Sequence, residues 1–161
     1  MFMQIASALR SNSVIISLTS TGWTAALIAI LHYYTMFVLV GSATIVNLCV
    51  LGFLGAAGTA AGIARRVIPW VWISLAVNLL SGFIMFAGDA TDYLPEWAFQ
   101  LKLFVVLLAI ALSIAVHKYI PGAERSPVVP ASAKLLAALS ILLWIGAILM
   151  GVEVPAISGV G

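Results

Sequence analysis

Two ionisable side chains, His32 and Lys102, lie well inside long apolar segments of the sequence. His32 stands in IAILHYYTMFVLVG, and no Asp, Glu, Lys or Arg occurs from Ser11 to Ala64. Lys102 stands in FQLKLFVVLLAIAL. Ionisable residues inside a bilayer are costly and usually functional, and neutral imidazole is the commonest protein ligand of metal ions. The pair therefore indicates a metal or haem site, if the chain spans a membrane and its helices bring both residues to a similar depth.

The composition is that of a membrane protein. Of the 161 residues, 64% are apolar and only 7% are charged, with a mean hydropathy of +1.22, whereas soluble domains carry about 25% charged residues. A net charge of +2 without a basic cluster argues against nucleic acid as a partner. The single cysteine, Cys49, excludes an intrachain disulfide. The surroundings of this chain are therefore predicted to be the lipid bilayer.

The chain is long enough for four membrane spans. Because a helix needs about 20 apolar residues to cross the hydrocarbon core, we expect four spans in one transmembrane domain, residues 1–161. Pro69 and Pro95 are expected in the first turns of the second and third spans, where the missing N–H of a proline costs no helical hydrogen bond. Four spans with short connections predict an all-α, up-down four-helix bundle. The predicted spans cover residues 23–54, 68–88, 95–117 and 133–152.

The N-terminal segment, Phe2 to Leu18, is too short and mixed to be a further span. Its apolar residues at positions 2, 5, 9 and 16 predict an amphipathic helix at the membrane interface. In that arrangement Arg10 faces the lipid headgroups; a frayed terminus is the alternative. No small-residue cleavage site precedes the first span, so we expect no cleaved signal peptide.

Charge differs between the predicted loops. The loop between the second and third spans is acidic, while the other two loops and their edges are basic. The positive-inside rule therefore predicts a multi-pass membrane protein with both termini on the outer side of the membrane. The acidic residues are Asp89, Asp92 and Glu96, and the basic ones are Arg65, Arg66, Lys118, Arg125 and Lys134.

Depth within the bilayer decides which residues can share a ligand. At 1.5 Å per residue, His32 lies about 12 Å and Lys102 about 8 Å from the outer ends of their spans, and His117 about 20 Å further along than Lys102. Two ligands of one iron reach it through bonds of about 2 Å. His32 is therefore predicted to pair with Lys102 and not with His117, which we interpret as an interfacial residue.

Each member of the pair also has a purely structural interpretation. His32 can be a buried neutral histidine hydrogen-bonded to a serine or a carbonyl across the bundle. Lys102 can extend its stem so that the ammonium reaches the nearby interface, or it can lie beside a haem propionate without touching the iron.

The second predicted span carries polar or sulfur-containing side chains along one helix face. Their spacing of four, three and four residues suits either a cofactor pocket or interhelical hydrogen bonds. Asn47 in the first span is predicted to make a similar interhelical bond. Small residues one turn from His32 leave room for a flat molecule against the first span. The polar stripe consists of Ser74, Asn78, Ser81 and Met85, and the face around His32 of Ala25, Ile28, Ala29 and Met36.

Several segments together resemble a known family. They are the histidine midway through the first span, the basic pair before the second, IPW and SGFIMFAGD at the ends of the second, and FQLKLFVVLLAIAL in the third. From Leu9 to Tyr119 the chain resembles bacterial four-helix membrane proteins distantly similar to HemJ-type protoporphyrinogen oxidases and CopD-like copper-resistance proteins. In HemJ-type proteins the corresponding histidine and lysine are tied to haem b binding and activity. The resemblance implies that role for His32 and Lys102. It also implies a location in the bacterial inner membrane, with both termini in the periplasm. Its specific anchors are His32, Ser81-Gly82 and Lys102-Leu103.

The leading hypothesis is a haem b-binding bundle. His32 is an axial ligand, Lys102 a second ligand or propionate partner, and Asn78 and Met85 line the pocket. The chain would transfer electrons, or serve as an accessory or anchor subunit for a membrane or periplasmic redox protein in a homo- or hetero-oligomer. The arginine-bearing motif that follows the histidine in HemJ-type proteins has no counterpart here, so protoporphyrinogen oxidation is an alternative rather than the first choice. A cofactor-free structural subunit of a larger membrane complex is the other alternative.

Overall fold

The computed structural model describes residues 2–55, 57–120 and 129–158, with side chains described for 3–55, 59–120 and 129–151. The described residues form helices joined by short connections, as the all-α prediction requires. The helices are α1 Phe2–Arg10, α2 Ser13–Ser20, α3 Gly22–Leu51, α4 Ala57–Gly88, α5 Ala90–Tyr93, α6 Trp97–His117 and α7 Ala131–Ser158.

Four of these helices are long and apolar enough to cross a membrane, which makes the chain a multi-pass membrane protein. The candidate spans are Gly22–Leu51, Thr59–Gly88, Trp97–His117 and Ala131–Gly151. One end of the bundle carries the connection from α4 to α6, with Asp89, Asp92 and Glu96, and is called the acidic end below. The opposite end, which carries Lys118 and Lys134, is called the basic end.

The N-terminal segment forms two helices rather than one. Asn12 separates them, because its side-chain oxygen accepts from the Val14 and Ile15 amides and so caps α2. Helix α1 packs on α4 and α5, and Ala6 is only 1% exposed. Arg10 does not lie free at the surface, since its guanidinium donates to Thr91 and pairs with Asp92 at 3.2 Å. The segment is therefore docked on the acidic end of the bundle.

Helix α3 ends three residues before the predicted boundary. Gly52 adopts a left-handed φ of 90°, and its N–H bonds to the carbonyls of Leu48 and Cys49. Glycine takes this conformation without a Cβ clash, which is why it terminates so many helices. The glycine-rich segment after it thus forms a turn between α3 and α4.

Helix α4 starts at Ala57, eleven residues earlier than predicted, and the prediction that Pro69 lies in its first turn is wrong. Pro69 lies inside the helix. The segment before it is rich in alanine, the best helix former, and Ala60, Ala61 and Ala64 are buried. Small residues let two helices approach closely. Packing against α3 therefore allows α4 to begin well before the proline. At α6 the difference is slight, since Pro95 lies just outside the helix.

The other three long helices are arranged around α3. Helix α3 packs extensively on α4 and also on α7, and α6 packs mainly on α7. Two buried polar contacts support this order. Asn47 donates to Ser140 Oγ at 3.1 Å between α3 and α7, and Trp144 Nε1 donates to Ser113 Oγ at 3.1 Å between α7 and α6. The predicted interhelical role of Asn47 is confirmed. The four-helix bundle is likewise confirmed.

Candidate functional site

His32 is held by helix α4 at the face that carries the polar stripe. Its Nδ1 lies 3.1 Å from the Asn78 carbonyl oxygen and 3.1 Å from Ser81 Oγ. A carbonyl oxygen can only accept, so Nδ1 carries the ring proton and donates it toward α4. In the neutral ring Nε2 then bears the lone pair. Metal-binding histidines are usually arranged in this way: one ring nitrogen donates a hydrogen bond to the protein, and the lone pair of the other nitrogen is available to the metal.

The backbone at His32 is held from the same side. Asn78 Nδ2 donates to the His32 carbonyl at 2.7 Å and to Thr35 Oγ1 at 3.3 Å. Ser81 donates to the Val77 carbonyl of its own helix at 2.8 Å, which leaves its oxygen free to accept from the imidazole. Backbone and ring of one residue are thus fixed by two residues of α4. The predicted interhelical hydrogen bonding of the stripe is present at Asn78 and Ser81.

Gly82 forms the surface on which the imidazole lies. A Cβ at this position would be 2.8 Å from His32 Cε1, 3.3 Å from Nδ1 and 3.9 Å from Nε2. Cε1 and Nδ1 are therefore the ring atoms that lie closest to Gly82, and Nε2 lies further from it. The absent side chain at Gly82 is what lets the ring lie there.

His32 lines a large cavity in the half of the bundle near the acidic end. Its volume is about 1010 Å³, at the upper end of the range of about 300–1000 Å³ for small-molecule sites. Most of the lining is apolar. All four residues predicted to hold a cofactor line it, as does the whole face predicted around His32. These residues are His32, Lys102, Asn78 and Met85, and Ala25, Ile28, Ala29 and Met36.

Lys102 enters the cavity from α6. Its Nζ would lie 3.7 Å from a Cβ on Gly151, so the amine lies against the last turns of α7. Among the residues whose side chains the structure describes, none gives Nζ a hydrogen bond or an ion pair. Asp89, the other charged residue on the described lining, makes no ion pair with it. The structure thus brings His32 and Lys102 to one cavity, and their role as ligands stays a prediction.

Aromatic side chains surround the acidic end of the cavity. Tyr33 lies edge-on to His32 with ring centroids 5.9 Å apart, and Phe86 of α4 stacks on Phe99 of α6 at 5.0 Å. Burial raises the pKa of the Tyr93 phenol, and the Asp89 carboxylate adds to the shift, so the hydroxyl stays protonated at neutral pH. This end of the lining therefore presents rings and a hydroxyl.

His117 belongs to a different part of the bundle. It lies edge-on to Trp72 of α4, with ring centroids 5.3 Å apart, and it does not line the cavity. His117 ends the candidate span Trp97–His117, in agreement with the expected position near the membrane interface, and its Nδ1 is buried with no hydrogen-bond partner among the described residues. Trp72 precedes the His32 partner Asn78 by six residues of α4, about 9 Å. The two histidines therefore contact α4 at different levels.

Sequence reasoning missed the contribution of α7. The predicted fourth span gave no candidate, yet four of its residues line the cavity: Trp144, Ala147, Ile148 and Gly151. The signal in the sequence was a face of small residues, which leaves space beside a helix, but it does not show which neighbour uses that space. Thr19 of α2 also lines the cavity, and no pattern pointed to it.

The described residues contain no group of three or more His, Cys, Asp or Glu side chains placed to hold a metal ion. The chain matches no protein-family model, no curated protein and no solved structure at a significant level. The site must therefore be interpreted from its own geometry.

Proposed function

We propose that this chain is a haem b-binding membrane protein, in which His32 Nε2 is an axial ligand and Lys102 is a second ligand or a propionate partner. The observation that carries the proposal is the fixed imidazole: Nδ1–H donates to α4, and the residue lines an apolar cavity of about 1010 Å³.

The donor set fits this group. One imidazole and one amine are too few for a bare metal ion, which usually takes four protein or water ligands. They suit an iron that receives its other four ligands from a porphyrin. The apolar lining suits the macrocycle, and the small residues Ala25, Ala29 and Gly82 keep the space beside the histidine open.

The residues of the chain have separate parts in this proposal. Asn78 and Ser81 hold the tautomer and orientation of His32, which raises the basicity of Nε2. Lys102 supplies a positive charge inside an apolar cavity, where it favours a carboxylate or a reduced, more negative group. When bound, haem b would supply one-electron redox chemistry.

Electron transfer is the activity this arrangement favours. The cavity lies toward the acidic end, and His32 is ten residues from the start of α3, about 15 Å. A redox partner docked at the acidic end would therefore lie about 15 Å from the level of His32. The positive-inside rule predicts that the acidic end faces the periplasm, so the proposed partner is a periplasmic or membrane redox protein.

Haem titration of the protein purified in detergent tests the proposal. We expect the wild type to bind one haem b per chain with a Soret band. His32→Ala should lose the band, while His117→Ala, the matched control outside the cavity, should retain it. A colourless wild type that binds no added haem would contradict the proposal and favour a cofactor-free structural subunit.

The spin state of the ferric protein separates the two roles of Lys102. If the amine is the second ligand, Lys102→Leu, whose side chain cannot ligate iron, should convert a low-spin electron paramagnetic resonance signal to high spin. If it pairs with a propionate, the spin state should stay unchanged while haem affinity falls. Lys134→Leu changes an exposed lysine outside the cavity and serves as the control.

A further inference from the structure

The cavity has an opening on the side of the bundle, between α4 and α6. These two helices make little direct contact, because α4 packs on α3 and α6 packs on α7. The stacked pair Phe86 and Phe99 joins them near the acidic end. Beyond this pair, toward the basic end, cavity-lining residues of both helices face each other across a gap.

The rim of the gap is apolar and open to the outside. Leu79 and Phe83 of α4 and Leu103 of α6 all line the cavity, yet they are 49%, 50% and 47% exposed. Residues that are both exposed and part of the lining mark an opening. Since they lie within two candidate spans, the opening faces the hydrocarbon of the bilayer.

The two ends of the cavity are covered. At the acidic end Thr19 of α2 lies against Gly88, where a Cβ would be 3.0 Å from its Cγ2, and the contact of Arg10 with Asp92 holds α1 nearby. Toward the basic end the lining ends in the buried side chains Leu39, Leu75 and Trp144. The gap between α4 and α6 is therefore a route into the cavity from the lipid phase.

Inside the opening the ammonium of Lys102 has no counter-charge among the described side chains. An unpaired charge in apolar surroundings is costly, and an anion beside it recovers much of that cost. Lys102 is the only basic residue on the described lining besides the neutral imidazole of His32, which suits a ligand with a single negative charge.

We propose that the cavity takes up an apolar molecule with a carboxylate head from the lipid phase, through the gap between α4 and α6, and that the carboxylate pairs with Lys102. Two sources share this chemistry: a fatty acid, and haem through a propionate. Binding of a fatty acid does not depend on the function proposed above, so this inference can be tested independently of haem binding.

Spin-labelled stearic acid tests the inference on the full chain in nanodiscs, with spin-labelled methyl stearate as the neutral probe. We expect an immobilised component in the electron paramagnetic resonance spectrum for the acid and several-fold less for the ester. Lys102→Met should reduce the acid component to the level of the ester, whereas Lys102→Arg and the exposed control Lys134→Met should retain it. Equal immobilisation of acid and ester in the wild type would overturn the inference. A Lys102→Met variant that immobilises the acid as strongly as the wild type does would also overturn it.

The route and the source are tested with the same probe. Leu79→Trp narrows the rim and should slow the appearance of the immobilised component several-fold, while Arg10→Ala, at the covered end, should leave its rate unchanged; the reverse result would overturn the lateral route. Added haemin that displaces the acid and gains a Soret band supports both proposals. Haemin that does neither, with the acid still bound through Lys102, overturns haem binding and leaves this inference intact.

Discussion

Replacing Gly82 with alanine tests whether the position of His32 matters to the site. The new Cβ would lie 2.8 Å from His32 Cε1, whereas ordinary contacts begin at 3.4 Å. Relief requires the ring to withdraw by about 0.6 Å, which would lengthen the 3.1 Å Nδ1 contacts with Asn78 and Ser81 to as much as about 3.7 Å, beyond hydrogen-bonding range. The variant therefore loses the hydrogen bonds that fix the imidazole tautomer.

Two magnitudes follow from this displacement. Overpacking of this kind costs about 1–3 kcal/mol of stability. Loss of the partner that orients a ligating histidine costs about 10–100-fold in affinity, so haem binding by Gly82→Ala should weaken by that factor. Haem titration followed by the Soret band measures the second effect, and unfolding in mixed detergent measures the first.

Gly62→Ala is the matched control on the same helix. Its Cβ would meet nothing within 4 Å, so the change should leave haem affinity unaltered and stabilise the helix by about 0.5–1 kcal/mol. The reasoning is refuted if Gly82→Ala binds haem as tightly as Gly62→Ala, because the imidazole would then tolerate a displaced position.

The remaining predictions concern the scaffold. Arg10→Ala should reduce the free energy of unfolding by no more than about 1 kcal/mol, because the side chains of Arg10 and Asp92 are 49% and 43% exposed. A larger loss, or a contribution of the pair that does not decrease with added salt, would contradict a surface ion pair. Asn47→Ala leaves Ser140 without its donor inside the bundle and should cost about 1–3 kcal/mol in unfolding experiments. Trp144→Phe keeps most of the buried ring but loses one hydrogen bond, so its cost should be about 0.5–1.5 kcal/mol, and an unchanged stability would show that this bond contributes nothing.

The sequence predicts the levels of the site residues well, because depth depends only on local geometry. A helix rises 1.5 Å per residue, so counting from the span ends places His32 and Lys102 in the same half of the bundle. The same periodicity places Asn78 and Ser81 on one face. Which helix that face meets is a tertiary question, and only the structure shows that it meets His32.

The features that sequence did not predict depend on packing between distant segments. Pro69 was expected to start a span, but neighbouring alanines pack closely enough on α3 to continue the helix past it. The docking of α1 on α5 includes the contact of Arg10 with Asp92, more than 80 residues away. Gly151 lines the cavity because α7 passes α6 at Lys102, and hydropathy carries no information about that approach.

The most direct measurement of the central claim is chemical rescue of the proposed axial ligand. His32→Gly removes the imidazole and leaves a space between α3 and α4 that free imidazole can enter. We predict that the wild type gains a Soret band with haem, that His32→Gly does not, and that added imidazole restores the band in the variant. A band that persists in His32→Gly without imidazole, or a wild type that gains none, would contradict the claim that His32 Nε2 ligates haem in this protein.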